Sequence, residues 1–387
     1  MKKKALIVVN LAGFLHFLWN DISTLQEMGY EVSVAMNENS AAGPNLIEIP
    51  KLEEIEIAHY QVDFDTKSPI SRQNVQAYKQ LKLILKRNKY ELIHCHTSIV
   101  GILTRMAARK ERKDGTTVIY TTHGFAFTDR SSKKSWLVYF TIEKLMSRFC
   151  DAIITINHED YNNAKKMHCP NVYVIPSVGL DNKRFADVKT NRDEYRASFG
   201  VKPNDHMVLS VGELSSRKNQ KIIVDALGMI DRKEQYVFVI CGTAVVNSTI
   251  EEELKRKASE LGVRIFLAGH RLDIPEINHC ADVAVIPSIR EGFGMTGVEA
   301  LASGVLVVGS DVQGIREYVI PEKTGYLCDP YSPNQFADAI EKIVNLSPEV
   351  KKQMEASCKK KAEEFDVSKS IAAMKNIYKE VLYHDRK

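Results

Sequence analysis

Short apolar runs alternate with amphipathic stretches, twice over, along a chain of 387 residues. Ala5–Val9 is apolar and rich in β-formers, Phe14–Met28 carries apolar residues at helical spacing, Gly29 stops it, and Glu31–Met36 begins a second strand. The stretch between Asn37 and Pro69 is irregular, with one strand expected near Ile55–Tyr60. The rhythm then resumes with helix Ser71–Arg87, strand Leu92–His94, helix Ser98–Arg112, strand Thr117–Thr121 and a loop holding His123-Gly124. Helix Ser135–Phe149, strand Ala152–Ile156, helix His158–Met167 and strand Val172–Ile175 follow. Pro176–Pro203 breaks the pattern and marks an expected domain boundary.

The second half restarts the same alternation. Strands are expected at Met207–Val211, Tyr236–Cys241, Val263–Leu267, Asp282–Ile286 and Val305–Val308. Helices are expected at Lys218–Ile230, Thr249–Leu261, Ile274–Cys280 and Thr296–Ser303, with three more from Asn334, Glu349 and Val367. Apolar strands that alternate with helices imply parallel sheets covered on both faces. The fold class is therefore α/β: two doubly wound, Rossmann-like domains facing a cleft, spanning 1–180 and 181–366.

Length agrees, since a soft prior of about 150 residues per domain predicts two. A hydrophobic content of 44% with 26% charged residues belongs to soluble globular chains. No run approaches the roughly 18 apolar residues of a membrane span. Lys2-Lys3-Lys4 ahead of Ala5–Trp19 imitates a signal peptide, but Asn10 and His16 interrupt the run and no small-x-small site follows, so it reads as strand and helix. Seven scattered cysteines without a CxxC pair predict reduced thiols and a cytoplasmic setting. His94-Cys95-His96 suggests a metal, yet successive strand side chains point to opposite faces, so the three cannot converge on one ion. No metal is expected.

Charge changes the picture more than composition does. Residues 79–134 carry 13 Lys/Arg against 4 Asp/Glu, a local +9 within a chain of net +4. Lys82, Lys86, Arg87 and Lys89 form one cluster; Arg105, Arg109, Lys110, Arg112 and Lys113 form the next. Such a surface attracts nucleic acid, anionic membrane or phosphorylated substrates, and no nucleic-acid recognition motif accompanies it.

The chemistry concentrates after strand ends. Pro287–Gly304 follows an apolar strand, and Gly292, Gly294 and Gly297 let the backbone turn and approach a ligand before a short helix. A glycine-rich turn leading to a helix N-terminus is an anion site. Glu291 and Glu299 flank it, and carboxylates there would accept from hydroxyl groups, which suggests a sugar joined to a phosphate. Thr296 and Glu299 also fit a capping box, in which Glu299 would serve only the backbone. Gly212 and the Arg217-Lys218 pair follow the first strand of the second half, and the pair would clamp a diphosphate at some cost against the helix dipole. His270-Arg271 follows a later strand, where a loop would frame a base; His123 and Gly13 follow first-half strands.

Glu291-Gly-Phe-Gly-(4 residues)-Glu299-Ala-Leu-Ala-Ser-Gly304, with Asp311-x-x-Gly314-x-x-Glu317 and Gly325, resembles the retaining GT-B glycosyltransferases of family 4. His94-Cys-His-Thr97, Thr122-His-Gly-Phe125, Ile142–Arg148 and Ile154-Thr-Ile-Asn157 are similar to the bacterial capsular and exopolysaccharide branch. The resemblance covers nearly the whole chain. It implies that Glu299 holds the ribose of a UDP-sugar, while Glu291 and the amides of Gly292, Phe293, Gly294 and Met295 meet the donor sugar, next to Thr296. It further implies that Arg217 and Lys218 neutralise the diphosphate without a metal, and that His123 contacts the sugar near the reacting carbon. Glu213 stands where many members have Arg, and Ala12-Gly13 where many have Gly-Gly; both bear on donor identity and loop geometry. The implied acceptor is a sugar on polyprenyl diphosphate, with basic region 79–134 holding the enzyme on the anionic inner face of the cell membrane. The final helix, 367–387, would pack back on the first domain, although its periodicity suits a dimer contact equally. A UDP-sugar 2-epimerase of the same fold and a non-catalytic bilobal sugar-binding protein are the competing readings.

Overall fold

Strands buried on both faces of a parallel sheet must be apolar along their length, and the apolar runs of this chain supply two such sheets. The computed structural model describes residues 3–39, 45–66, 68–245 and 248–383. One unit comprises residues 1–178 with 368–387, and the other residues 179–367.

In the first unit β1 (Lys3–Leu11), β2 (Tyr30–Asn37), β3 (Ala58–Gln61), β4 (Leu92–His96), β5 (Thr117–Thr121), β6 (Ala152–Thr155) and β7 (Asn171–Val174) are ordered 3-2-1-4-5-6-7, all parallel. Leu6, Val8, Ile93, Val118 and Ile153 are fully buried in the core between sheet and helices. The final helix, Val367–Tyr383, packs on this unit: Tyr378 is buried against His94, and Ser370 Oγ donates to the Pro176 carbonyl at 3.1 Å. The last four residues of the expected 367–387 helix lie outside the described residues.

The second unit orders β8 (His206–Val211), β9 (Tyr236–Cys241), β10 (Arg264–Gly269), β11 (Val283–Ile286), β12 (Val307–Ser310) and β13 (Gly325–Cys328) as 10-9-8-11-12-13, again all parallel. β13 has no counterpart among the expected strands. It begins with Gly325, whose φ of +154° and closeness to the Val307 carbonyl, 1.7 Å from where a Cβ would sit, admit only glycine. A glycine at a strand start reads in sequence as a turn.

Other departures are local. The irregular stretch after Asn37 contains a helix, Asn45–Glu54, and its strand lies at Ala58–Gln61 rather than Ile55–Tyr60; residues 40–44 and 67 lie outside the described set. The boundary segment holds two short helices, Asn182–Ala186 and Arg192–Ser198. Phe14–Met28 divides into a 3-10 turn, Ala12–Phe17, and a helix, Trp19–Glu27. The second basic cluster also changes. Arg105 is fully buried, donates to Glu143 at 2.7 Å and stacks over Tyr120, while Arg112 pairs with Asp151 at 2.7 Å. Arg109, Lys110 and Lys113 remain exposed.

Candidate active site

The chain reverses its travel across the second sheet at β8: β9 and β10 lie on one side, β11 to β13 on the other. Loops leaving the carboxyl ends of β8 and β11 diverge there, which is where doubly wound sheets bind ligands. These two loops are tied together. Ile289 N–H donates to the Arg217 carbonyl at 2.9 Å, and Asn219 Nδ2 donates to the carbonyls of Pro287 and Pro330 at 3.2 and 2.8 Å. Glu291 Oε2 accepts from Lys218 Nζ at 2.6 Å, from Ser288 Oγ at 3.2 Å and from Arg217 Nη1 at 3.5 Å. Gly212 lies beside the Lys218 stem. The helix begins at Lys221, later than the expected Lys218, so both cations lie ahead of its first turn, where Glu291 balances their charge.

Gly294, at φ +86°, lets the β11 loop turn into the helix Met295–Ala302. Its N-cap residue is Gly294, which has no side chain to cap it. Thr296 sits inside its first turn with Oγ1 buried and unpartnered, so the Thr296–Glu299 capping box does not form. Among the described residues the Glu299 carboxylate has no hydrogen bond. Burial pushes its pKa up to about 7, against a smaller opposing pull from Arg184. Phe293 points inward, its ring centroid 5.8 Å from that of Tyr318 and 5.2 Å from that of Phe365. His270 is exposed, and Arg271 donates to Asp273 at 2.8 Å; no described contact joins either to the Lys218–Glu291 group.

The first sheet has its own reversal, between β1 and β4. Gly13 lies in the turn after β1, and the neighbouring Phe14 ring packs edge-on against His123 at 4.7 Å. His94 and His96 share one face of β4, while Cys95 points to the other and donates to the Ile119 carbonyl. Asp21 takes the place that Cys95 cannot, its carboxylate within 4.8 Å of ligand atoms of both histidines. Both His94 nitrogens are engaged, with Tyr378 Oη at 2.8 Å and Thr121 Oγ1 at 2.7 Å. Within this group, His96 Nε2 is buried without a hydrogen-bond partner.

Burial penalises charge throughout this cluster. It lowers His94 to about 3, with His123 as a second cause, lowers His123 to about 4, holds His96 well below its ordinary value, and raises Asp21 to about 7. His96 Nδ1 lies 3.2 Å from His123 Nε2, and His96 Nε2 is buried without a partner. An orphaned N–H costs more than a bare lone pair. We therefore assign the His96 proton to Nδ1, donating to His123 Nε2, which leaves the His123 proton on Nδ1. His123 belongs to the first unit and Glu291 to the second.

Two family models divide the chain: one described as Glycosyltransferase Family 4 matches residues 18–178, and one described as Glycosyl transferases group 1 matches residues 191–365. Glycosyltransferase EpsD of Bacillus subtilis (strain 168) is 31% identical over 96% of this chain and 93% of its own length. This chain belongs to the family 4 glycosyltransferases.

The glycosyltransferase is also 29% identical to the Escherichia coli enzyme named UDP-Gal:alpha-D-GlcNAc-diphosphoundecaprenol alpha-1,3-galactosyltransferase, over 80% of this chain and 82% of that one. Among solved structures, Anabaena HepE in complex with UDP matches with a TM-score of 0.75 at 20% identity, covering 99% of this chain and all of that one. Sucrose-phosphate synthase from Thermosynechococcus elongatus matches at 0.78 and 18% identity, covering 99% of this chain and 100% of that one. At such identities these neighbours establish the GT-B fold alone.

Sequence reasoning missed three parts of the glycosyltransferase's two clusters. Tyr318 is fully buried with an unpartnered hydroxyl, 2.3 Å from where a Cβ on Gly297 would lie. Gly294 and Gly297, three apart, signal that something large fills one side of the helix, without saying what. Asp21 and Tyr378 reach the histidines from distant helices, and no local spacing announces them.

Proposed function

We propose that this glycosyltransferase moves a sugar, with retention at the anomeric carbon, from a UDP-sugar to a sugar on a polyprenyl-diphosphate carrier during surface polysaccharide synthesis. The observation that carries the reading is the pairing of Lys218 and Arg217 with Glu291 at the sheet reversal. Two cations held there by a carboxylate form a preorganised clamp for a diphosphate leaving group, electrostatic work that needs no metal. Glu291 holds the cations through Oε2, which leaves Oε1 to accept from a donor-sugar hydroxyl. The helix Met295–Ala302 turns the positive end of its dipole toward the phosphates. Glu299, poised at about 7 with no internal partner, accepts from the ribose hydroxyls. On the family resemblance alone, His270 and Arg271 are assigned to donor-binding loops of the second unit, and Gly13 and His123 of the first unit to the donor sugar. The name of the Escherichia coli relative supports the lipid-linked acceptor.

No helix among the described residues is long and apolar enough to cross a membrane. Lys79, Lys86, Arg87, Lys89, Arg109, Lys110 and Lys113 are exposed within the basic region. At about 1 kcal/mol each near an anionic leaflet, they hold a cytoplasmic enzyme on the inner membrane face.

The test is a panel of nucleotide sugars incubated with a lipid-diphosphate-sugar acceptor, in the presence and absence of a chelator. UDP release in step with a heavier lipid product, unaffected by chelation, is expected. Lys218→Ala lowers it by at least about 100-fold, in line with loss of transition-state charge stabilisation, and Glu299→Ala lowers it through weaker donor binding, because the ribose loses its acceptor. Full activity in both variants would refute the site. UDP-sugar consumption without a lipid product would favour the epimerase.

A further inference from the structure

The seven cysteines are scattered along the chain, but the first sheet brings two of them together. β6 and β7 run parallel, with Ala152 paired to Asn171 at their first rung. Cys150 and Cys169 each stand two positions before that rung, so the register carried back sets one opposite the other. Cys150 is extended, at φ −136° and ψ 162°, and residues two apart on extended chain share a face. Neighbouring strands lie about 4.8 Å apart, within the roughly 4.4–6.8 Å between Cα atoms that a disulfide spans. The two sulfurs are 3.8 Å apart.

Access and reactivity divide between the two thiols. Cys169 is half-buried, whereas Cys150 and the other five cysteines are buried. An oxidant arriving from water therefore meets Cys169 first. The hydrogen bond shared with Cys169 lowers the Cys150 thiol below its ordinary value, against burial, and the Arg105 guanidinium adds to the lowering. A sulfur of that kind suits the attack that closes a disulfide. The segment between the pair, 151–168, holds β6 and the helix His158–Ala164. Asp160 on that helix accepts from the Phe125 N–H at 3.1 Å, and so anchors the loop that carries His123. Both cysteines precede their strands, whereas that loop follows the carboxyl end of β5, so the pair lies at the opposite edge of the sheet.

We propose that Cys150 and Cys169 are a redox modification site, closed by a peroxide to a reversible disulfide that braces the segment anchoring the His123 loop. The Cys169 sulfur takes one oxygen from hydrogen peroxide and becomes a sulfenic acid, and the other oxygen leaves as water. The Cys150 sulfur then attacks that of Cys169, the S–O bond breaks, and the departing hydroxide leaves with the Cys150 proton as a second water. The two thiols give up two electrons, and a dithiol returns them. The test exposes the reduced full chain to hydrogen peroxide, alkylates it and maps its peptides by mass. Two of the seven free thiols are lost, a cross-link joins the peptides of Cys150 and Cys169, and dithiothreitol reverses it. Closing the segment raises the thermal midpoint of the oxidised protein by about 5 °C. Cys169→Ser, at the half-buried position, shows neither the cross-link nor the rise. Both thiols open to alkylation after peroxide, a disulfide joining two chains, or an oxidised wild type with the midpoint of the reduced one overturns the proposal. So does a Cys169→Ser variant whose midpoint rises with peroxide as the wild type's does.

Discussion

At the scale of single residues, the most informative atom in the first unit is His96 Nε2, buried with nothing to bond. It decides which nitrogen carries the proton, and through Nδ1 it sets the tautomer of His123, 3.2 Å away. On the proposed function, in which His123 donates to the sugar, His96 is a positioning residue for that donor. His96→Asn places an amide N–H near the lost Nδ1–H and is expected to keep most of the turnover. His96→Leu cannot donate, and should lower kcat by up to about tenfold with donor KM nearly unchanged, the equivalent of one hydrogen bond. Equal kinetics in the two variants would leave His96 as packing alone. Nothing in the local sequence separates His94 from His96. Only the partners of their ring nitrogens distinguish a saturated histidine from one with a spare lone pair.

At the scale of elements, the helices Ser98–Ala107 and Lys133–Met146 are clamped by the buried Arg105–Glu143 pair, which Tyr120 Oη joins at 3.3 Å. Arg105 Nε also donates to the Gly101 carbonyl at 2.9 Å, so the guanidinium is fixed within its own helix. Removing one partner leaves a buried charge; Arg105→Ala should destabilise the unit by about 3–5 kcal/mol, whereas an apolar pair at both positions should be nearly neutral. Trp19 and Trp136, the chain's two tryptophans, both lie in this unit, so their fluorescence during chemical denaturation reads the change directly. A loss below 1 kcal/mol, the usual worth of an exposed pair, would contradict the burial. The sequence showed a run of basic residues from Arg105 to Lys113 and could not mark the first of them as internal. Its charge is answered by a glutamate 38 positions away, on another helix.

At the scale of the molecule, the buried histidines tie stability to pH. Below the ordinary histidine value of 6.5, an unfolded chain takes up protons at His94, His96 and His123 that the folded chain refuses until about 4 at His123 and about 3 at His94. Their contribution is present above 6.5 and is lost as pH falls through those folded values. Asp21 has the opposite sign: its folded value of about 7 lies above the ordinary 3.8, so its contribution is lost as pH rises through 7. Three histidines outweigh one carboxyl between 4 and 6.5, and the tryptophan-detected midpoint should fall on acidification across that range. His96→Asn removes one of the three and should flatten the slope; an unchanged slope would mean that His96 titrates alike in both states.

The alternation of apolar runs with amphipathic helices determined two parallel sheets without help from tertiary contacts, because burial on both faces demands continuous apolar strands. Glu291, Glu299, Arg217 and Lys218 stood out as candidates in the sequence, because glycines and charges at strand ends have few structural uses at such density, and the fold brings Arg217, Lys218 and Glu291 of these together. The strand opened by Gly325 was not legible, since only its closeness to Val307 explains the glycine. Nor were the pairing of Glu291 with Lys218, 73 positions apart, the failure of the Thr296–Glu299 capping box, or the meeting of Asp21, His94 and Tyr378. Periodicity reports which face of an element is buried. Which distant side chain meets it there, and hence which charge is balanced and which nitrogen is left bare, follows from how the strands are ordered in the sheet.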